Sequence, residues 1–328
     1  MWHSSREEAD QAAARANAPG PVLMPALTYT IDNRNVANAL ISQVQEINVR
    51  NTIIMLGSFF TRYHNCPQGV QSANAIRDLW QGYATAANRP DVTVELFPHT
   101  YTNPTIPTMQ PSVILTIPGG RLASEVVVLG AHQDSTNNPN NCSGTDPGSR
   151  APGQDDDASG IASLSEVIRV ALLSGYHPAR TLKFMAYTAE EIGLKGSGQI
   201  AQTYQSQGVN VVGVMQLDMT DYKGSTGDVY VYTDFTNPAQ NAFLQSLITT
   251  YTPTLIQGTD QCGYGCSDHA SWTNRGYPAS LPFEARFTQY DPFIHTENDT
   301  LANLQNNANH ALKFSKVAAA FMAELAKG

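Results

Sequence analysis

Five short polar clusters in this sequence carry side chains whose types and spacing could do chemistry. Ala131-His132-Gln133-Asp134-Ser135 closes a valine-rich run. Alternation along an extended chain puts His132 and Asp134 on the same side. Gly153-Gln154-Asp155-Asp156-Asp157-Ala158-Ser159-Gly160 leads straight into an apolar-periodic segment. Thr188-Ala189-Glu190-Glu191 follows a second apolar run, Gln216-Leu217-Asp218-Met219 ends a third, and Ile294-His295-Thr296 follows an aromatic stretch. Each cluster alone has an ordinary explanation. A lone His-x-Asp triplet is most often surface, an Asp-rich lead-in caps a helix and complements its dipole, and paired glutamates can be a solvated turn. Capping, however, accounts for one or two of three consecutive aspartates. A single acid at the end of a very apolar strand is costly unless paired or bound to a cation. Taken jointly, His132, Asp156, Glu191, Asp218 and His295 form a nitrogen- and oxygen-rich set suited to borderline divalent metals, with no thiolate needed. Two ions could share these five residues if one carboxylate bridges, each keeping a position for water or substrate. Of the adjacent pair Glu190 and Glu191, one could bind metal while the other handles protons.

Such residues need elements to hold them. Apolar spacing predicts helices over 35–47, 72–87, 158–173, 197–207 and 240–251, with 300–326 mainly helical. Strand-like runs cover 92–97, 113–117, 125–130, 181–188, 211–219 and 229–232. Between them, residues 133–157 form a 25-residue polar loop, a length that is usually functional inside a compact domain. Strands alternating with helices imply an α/β fold, with a mixed but mostly parallel central sheet sandwiched by helices. In such sheets ligands bind beyond the carboxyl ends of the strands, which is where the polar clusters fall. Residues 1–26, polar and alanine-rich, read as a loosely packed leader, and 27–328 as one domain.

Composition sets the outer limits. The chain has 328 residues, 41% hydrophobic and only 14% charged, which suits a large core and argues against disorder. A net charge of −9 without an extended basic run excludes nucleic acid as a natural partner. No stretch approaches the 18 apolar residues of a membrane span. The N-terminus lacks the apolar segment of a signal peptide, so the protein is either intracellular or begins after a removed leader. Cysteine usage favours the second option. Cys262 and Cys266 bracket a three-residue loop suited to a small disulfide ring. Cys66 and Cys142 sit in turn-rich segments that suit a second bridge. Four free thiols in a cytosolic enzyme remain the alternative.

The order His-x-Asp, Asp-Asp-Asp-Ala-Ser-Gly, Ala-Glu-Glu, Leu-Asp-Met and Ile-His-Thr resembles the co-catalytic zinc aminopeptidases of peptidase family M28, clan MH. The likeness is closest to secreted bacterial leucyl aminopeptidases of the Vibrio type. It runs from about residue 27 to 304 and includes AHQDS, GQDDDASGIASLSEVIRV, FMAYTAEEIGLKGS, QLDMTDYKGS, CGYGCSDHASW, GYPASLPFE and IHTENDTLAN. The resemblance implies the zinc-exopeptidase fold and two zinc ions. One would be held by His132, Asp156 and Asp218, the other by the bridging Asp156, Glu191 and His295. It also implies Glu190 as general base and Asp134 as the carboxylate orienting a ligand imidazole. Asp157 would follow a cis peptide, and Tyr264 would donate to the tetrahedral intermediate. Met219, Leu281, Phe283, Phe287, Tyr290 and Ile294 would line an apolar pocket for the first residue of the substrate. Gln154 departs from the family, where Ala is common.

The expected activity is removal of large apolar residues, Leu-type above all, from peptides with a free N-terminus, by a secreted monomer. Three other readings share the fold: a single-zinc glutaminyl cyclase-like transferase, a carboxypeptidase, and a binding module without catalysis. The retained ligand set disfavours the first and the last. A carboxypeptidase needs a cation for the free carboxylate, and Arg286 keeps that alternative open.

Overall fold

The computed structural model describes residues 28–99, 109–137, 142 and 149–328. The leader expected over 1–26 and part of the long polar loop lie outside the described residues. Three helices open the described chain: α1 (Arg34–Ile41), α2 (Glu46–Gly57) and α3 (Pro67–Ala86). Then follow β1 (Thr93–Phe97), β2 (Ser112–Ile117), β3 (Leu122–His132), α4 (Ala158–Leu173), β4 (Arg180–Tyr187), α5 (Lys195–Ser206) and β5 (Asn210–Gln216). The remaining elements are β6 (Val229–Tyr232), α6 (Pro238–Tyr251), β7 (Gln257–Asp260), α7 (His269–Thr273), β8 (Ala279–Phe283) and α8 (Ala311–Ala326).

The strands form one eight-stranded sheet in the order β1-β2-β4-β3-β5-β8-β6-β7. Its centre is parallel: β3 pairs with β4 on one side and β5 on the other, and β5 with β8. Antiparallel pairs occur at β1–β2, β2–β4 and β6–β8. The sheet is therefore mixed around a parallel middle. A parallel strand is covered on both faces and so reads as an unbroken apolar run, which explains the valines of β3. Val127, Leu129 and Ala131 point into the larger core, beneath α4 and α8, while Val126 and Val128 face α5 and Trp272. Fourteen of the sixteen residues of α4 are buried, so this helix is covered almost all round and lies inside the molecule.

Several boundaries differ from the sequence reading. The helix expected over 35–47 is two helices. The chain turns at 42–45, where the Gln45 N–H donates to Glu166 Oε1 at 2.7 Å, and Ile47 belongs to the first turn of α2. The third central strand stops at Gln216, because Met219 takes φ 54° and Asp218 has already left the sheet. The C-terminal helix begins only at Ala311, after Gln305 and Asn306 adopt positive φ. The elements β7, α7 and β8 were not anticipated.

The connection from β3 through α4 leads to β4, and that from β4 through α5 leads to β5, on the opposite side of β3. The chain thus reverses its winding at β3, and in such sheets the crevice that takes ligands lies beyond the carboxyl ends of the strands at that point.

Candidate active site

Each polar cluster reaches that crevice from a different element. His132 is the last residue of β3, Glu190 and Glu191 follow β4, and Asp218 follows β5. Asp156 ends the long loop at the entrance to α4, joined to Asp157 by a cis peptide bond. His295 comes from the loop after β8 and has positive φ, 59°. His132, Asp134, Asp156, Asp157, Glu190 and Asp218 are all buried.

The distances divide these side chains into two groups that share Asp156. Its Oδ1 lies 2.9 Å from His132 Nε2, which is 3.6 Å from Asp218 Oδ1. Its Oδ2 lies 3.1 Å from His295 Nε2, which is 3.0 Å from Glu191 Oε2. One carboxylate therefore stands between two imidazoles, each with a further acid beside it. Buried carboxylate oxygens normally have hydrogen-bond partners. Asp218 Oδ1 and Glu191 Oε1 have none among the described residues, and Asp156 Oδ2 meets only the His295 imidazole there.

Asp157 also lies within 4.8 Å of His132 and Asp218, but its oxygens are committed elsewhere. Oδ2 accepts the His132 N–H at 3.0 Å, and Oδ1 accepts those of Gly160 and Met219 at 2.8 and 3.1 Å. It caps α4 and ties three ligand-bearing segments together. Asp134 acts similarly. Its two oxygens accept the N–H groups of Glu190 and Glu191 at 3.1 and 3.3 Å. Its carbonyl lies 3.1 Å from His132 Nδ1, and its carboxylate 3.6 Å from that nitrogen.

Titration behaviour follows from this crowding. Burial opposes a charge on His132, yet Asp218, Asp134 and Asp156 outweigh it and raise its pKa well above the imidazole range. Burial likewise opposes a charge on His295, but Glu191 and Asp156 push it up to about 10. Burial would raise Asp156, but its contacts with both imidazoles hold it far below the usual carboxylate range. Burial also raises Glu191. In the protein alone, the imidazoles thus provide the positive charge that the acids require. Ligating imidazoles are neutral, so divalent cations would take over that charge and release the protons. Open buried oxygens and two basic nitrogens around one central carboxylate fit such ions.

Beside this centre lies an apolar cluster. Met219, Leu281, Phe283, Tyr230 and Tyr232 are buried in it with Cys262, Tyr264 and Cys266, and Phe287, Tyr290 and Ile294 pack against it half-buried. The Tyr264 and Phe287 rings sit 6.3 Å apart, and those of Phe287 and Tyr290 6.0 Å. Cys262 and Cys266 are disulfide-bonded, and so are Cys66 and Cys142, which removes the four-thiol alternative. Ser267, next to the small ring, donates to Asp218 Oδ2 at 2.5 Å. The ring that carries Tyr264 is thereby tied to the centre.

Two neighbours escaped the sequence reading. Asp299 is buried and accepts the N–H groups of Asp155 and Asp156 on its two oxygens, at 2.7 and 3.1 Å. Arg62, also buried, reaches the loops beside His132 and Asp156 from the α2–α3 connection. Both act on main chain more than 70 residues away, and such contacts leave no local pattern in sequence.

Known proteins resemble this chain in both sequence and fold. Residues 112–322 match Peptidase family M28. The chain is 35% identical over 322 residues to leucine aminopeptidase 1 of Arthroderma otae, covering 93% of this chain and 81% of the relative. Among solved structures it is similar to the LapA aminopeptidase of Legionella pneumophila. That likeness has 32% identity and a TM-score of 0.81, over 93% of this chain and 78% of the other. A glutaminyl cyclase of Bacteroides thetaiotaomicron, at 16% identity and TM-score 0.67 over 85% of this chain and 97% of the other, shares the fold alone.

Proposed function

This chain belongs to peptidase family M28, and from that premise we propose that it is a secreted, monomeric di-zinc aminopeptidase acting on peptides with large apolar N-terminal residues. Residues 27–328 serve as its single catalytic domain. The observation that carries the reading is Asp156, set between two imidazoles with a further acid beside each. His132, Asp156 and Asp218 would hold one zinc, and Asp156, Glu191 and His295 the other. Bound zinc would polarise the scissile carbonyl and acidify the attacking water.

The chain's own residues do the rest. Glu190 takes the proton from the attacking water and returns it to the departing amine. Asp134 holds the backbone of that base, and Asp157 the backbone of His132 and Met219. Tyr264 donates to the developing oxyanion. The apolar cluster receives the first side chain, and an acidic one would lose its hydration there without gaining a partner. The free α-amine is the anchoring polar end of the substrate, drawn by the carboxylates of the centre.

Three measurements test this. Elemental analysis should give two zinc ions per chain, whereas one would favour the cyclase-like alternative. Among amide substrates, those of Leu, Met and Phe should be cleaved, Glu poorly, and N-acetyl-Leu not at all. Equal cleavage of Leu and Glu would refute the apolar pocket, and cleavage of the acetylated substrate the exopeptidase assignment. Glu190→Gln keeps size but not basicity and should lower kcat about 10²–10⁴-fold, with metal content unchanged. A variant of near-normal activity would remove Glu190 as base.

A further inference from the structure

Arg62 is wholly buried, and the contacts of its guanidinium end on carbonyl oxygens. Nε donates to Gln133 O at 2.9 Å, Nη2 to Gly153 O at 2.8 Å, and Nη1 to Pro152 O and, at 3.4 Å, to Leu56 O. Gln133 is the residue after His132, and Gly153 lies three before Asp156. One planar group therefore joins the two chain segments that deliver His132 and Asp156. The Arg62 N–H adds a contact to Ser135 Oγ at 3.0 Å, and that hydroxyl donates to Ala151 O at 2.7 Å. The same stretch of chain is pinned to the loop twice more, by the Ala151 N–H on Phe60 O at 2.9 Å and by the Cys66–Cys142 disulfide. The fit is close. Gly153 has φ 50°, and a Cβ there would come within 2.4 Å of Asp156 O and 2.8 Å of Arg62 Nη2.

A buried cation beside a metal centre would, by charge alone, weaken cation binding. Arg62 can strengthen it only through geometry, by fixing two ligands that the sheet and the long loop would otherwise place independently. We propose that Arg62 is a positioning residue for the metal centre, setting His132 against Asp156 through the main chain beside each. This rests on the metal-binding reading above. The planar fork is essential to the idea, because a lysine keeps the charge but cannot span the same carbonyls.

The test is zinc affinity of the full chain, measured by chelator competition, together with the visible spectrum of the cobalt-loaded protein. Arg62→Lys should raise the zinc dissociation constant about 10–100-fold, the usual effect of losing an outer support of metal ligands. It should also alter the cobalt bands. Arg89→Lys is the control: Arg89 is likewise buried and donates to a carbonyl, Tyr176 O at 3.0 Å, away from the centre. It should lower Tm but leave zinc affinity and the cobalt spectrum as they were. An Arg62→Lys affinity within twofold of the parent overturns the proposal, as does an equal loss in Arg89→Lys. If Arg62→Lys does not fold, Ser135→Ala, which frees the Arg62 main chain from the segment after His132, carries the test with an expected shift of about tenfold, the lower end of that range, and no shift there overturns it. A parent chain that binds no zinc overturns the metal reading and this inference together. One that binds zinc but cleaves no Leu amide overturns the aminopeptidase reading alone.

Discussion

Asp134 allows a quantitative test of how the proposed base is held. Its side chain is buried, and its two oxygens separately accept the N–H groups of Glu190 and Glu191. Asp134→Asn keeps the shape but turns one acceptor into a donor, so one of those N–H groups is left unsatisfied. An orphaned buried donor costs about 1–3 kcal/mol. Unfolding entropy of about 2.1 cal/mol/K per residue over this chain gives about 0.7 kcal/mol per degree at Tm. The expected fall in Tm is therefore about 1–4 °C. Asp134→Ala orphans both donors and should cost roughly twice as much. The functional loss should be larger than these figures suggest, because the freed amides belong to the proposed base and to a proposed zinc ligand. A displacement near 1 Å can cost about 10²-fold in rate. The assay is kcat and KM on a Leu amide at saturating zinc, alongside thermal melts of the same preparations. The drop should appear mainly in kcat. A parent-like kcat and Tm in Asp134→Asn would refute the reasoning. A loss of Tm with kcat unchanged would show that Asp134 supports the fold without positioning Glu190.

The two disulfides should separate in their effects. The Cys66–Cys142 link closes a separation of 76 residues and should contribute about 4 kcal/mol, against about 2 for the Cys262–Cys266 ring of separation 4. Paired Cys→Ala variants followed by melts and kinetics should show mainly lost stability in the first case and mainly lost turnover, through Tyr264, in the second. His310 is buried against Phe314 with Lys313 and Lys223 nearby, and burial first, then those cations, lowers its pKa to about 3. A depressed folded pKa means that its contribution is intact above the unfolded value of about 6.5 and is lost as pH falls toward 3. His310→Gln should therefore flatten the stability profile of the metal-free protein between pH 6.5 and 3, and an unchanged profile would refute the assignment. Gly153→Ala should lower zinc occupancy as well as Tm, since its Cβ would meet the Asp156 carbonyl.

Much of the fold was legible because buried elements carry unambiguous patterns. The boundaries of α4, 158–173, coincide with the expected ones, and so do those of β6, 229–232. What was not legible has physical reasons. The break between α1 and α2 interrupts a continuous apolar pattern and depends on Glu166, more than a hundred residues away. Pro282 argues against a strand in sequence, yet it pairs with Val231 inside β8. The strand β7, Gln-Gly-Thr-Asp, has no apolar character of its own and exists through its pairing with β6.

The site shows a finer division of the same kind. Its ligand candidates were legible as acids and imidazoles placed after apolar strands, but their roles are distinguished by where each oxygen is spent. In the aspartate run, both oxygens of Asp157 are taken by main-chain N–H groups, and Asp155 gives one to Asp221 N, whereas Asp156 accepts from no main-chain donor described. Asp134 and Asp299 likewise spend both oxygens on amides of segments that bear ligand candidates. A carboxylate bound to two or three amides is rigid and already compensated, and gains little from a cation. One whose oxygens meet imidazoles instead of amides can exchange that positive charge for a cation as the imidazoles lose their protons. The acids of this centre thus form two sets, one building the frame and one facing into it. Composition cannot separate them, because only the folded main chain determines which aspartate its amides reach.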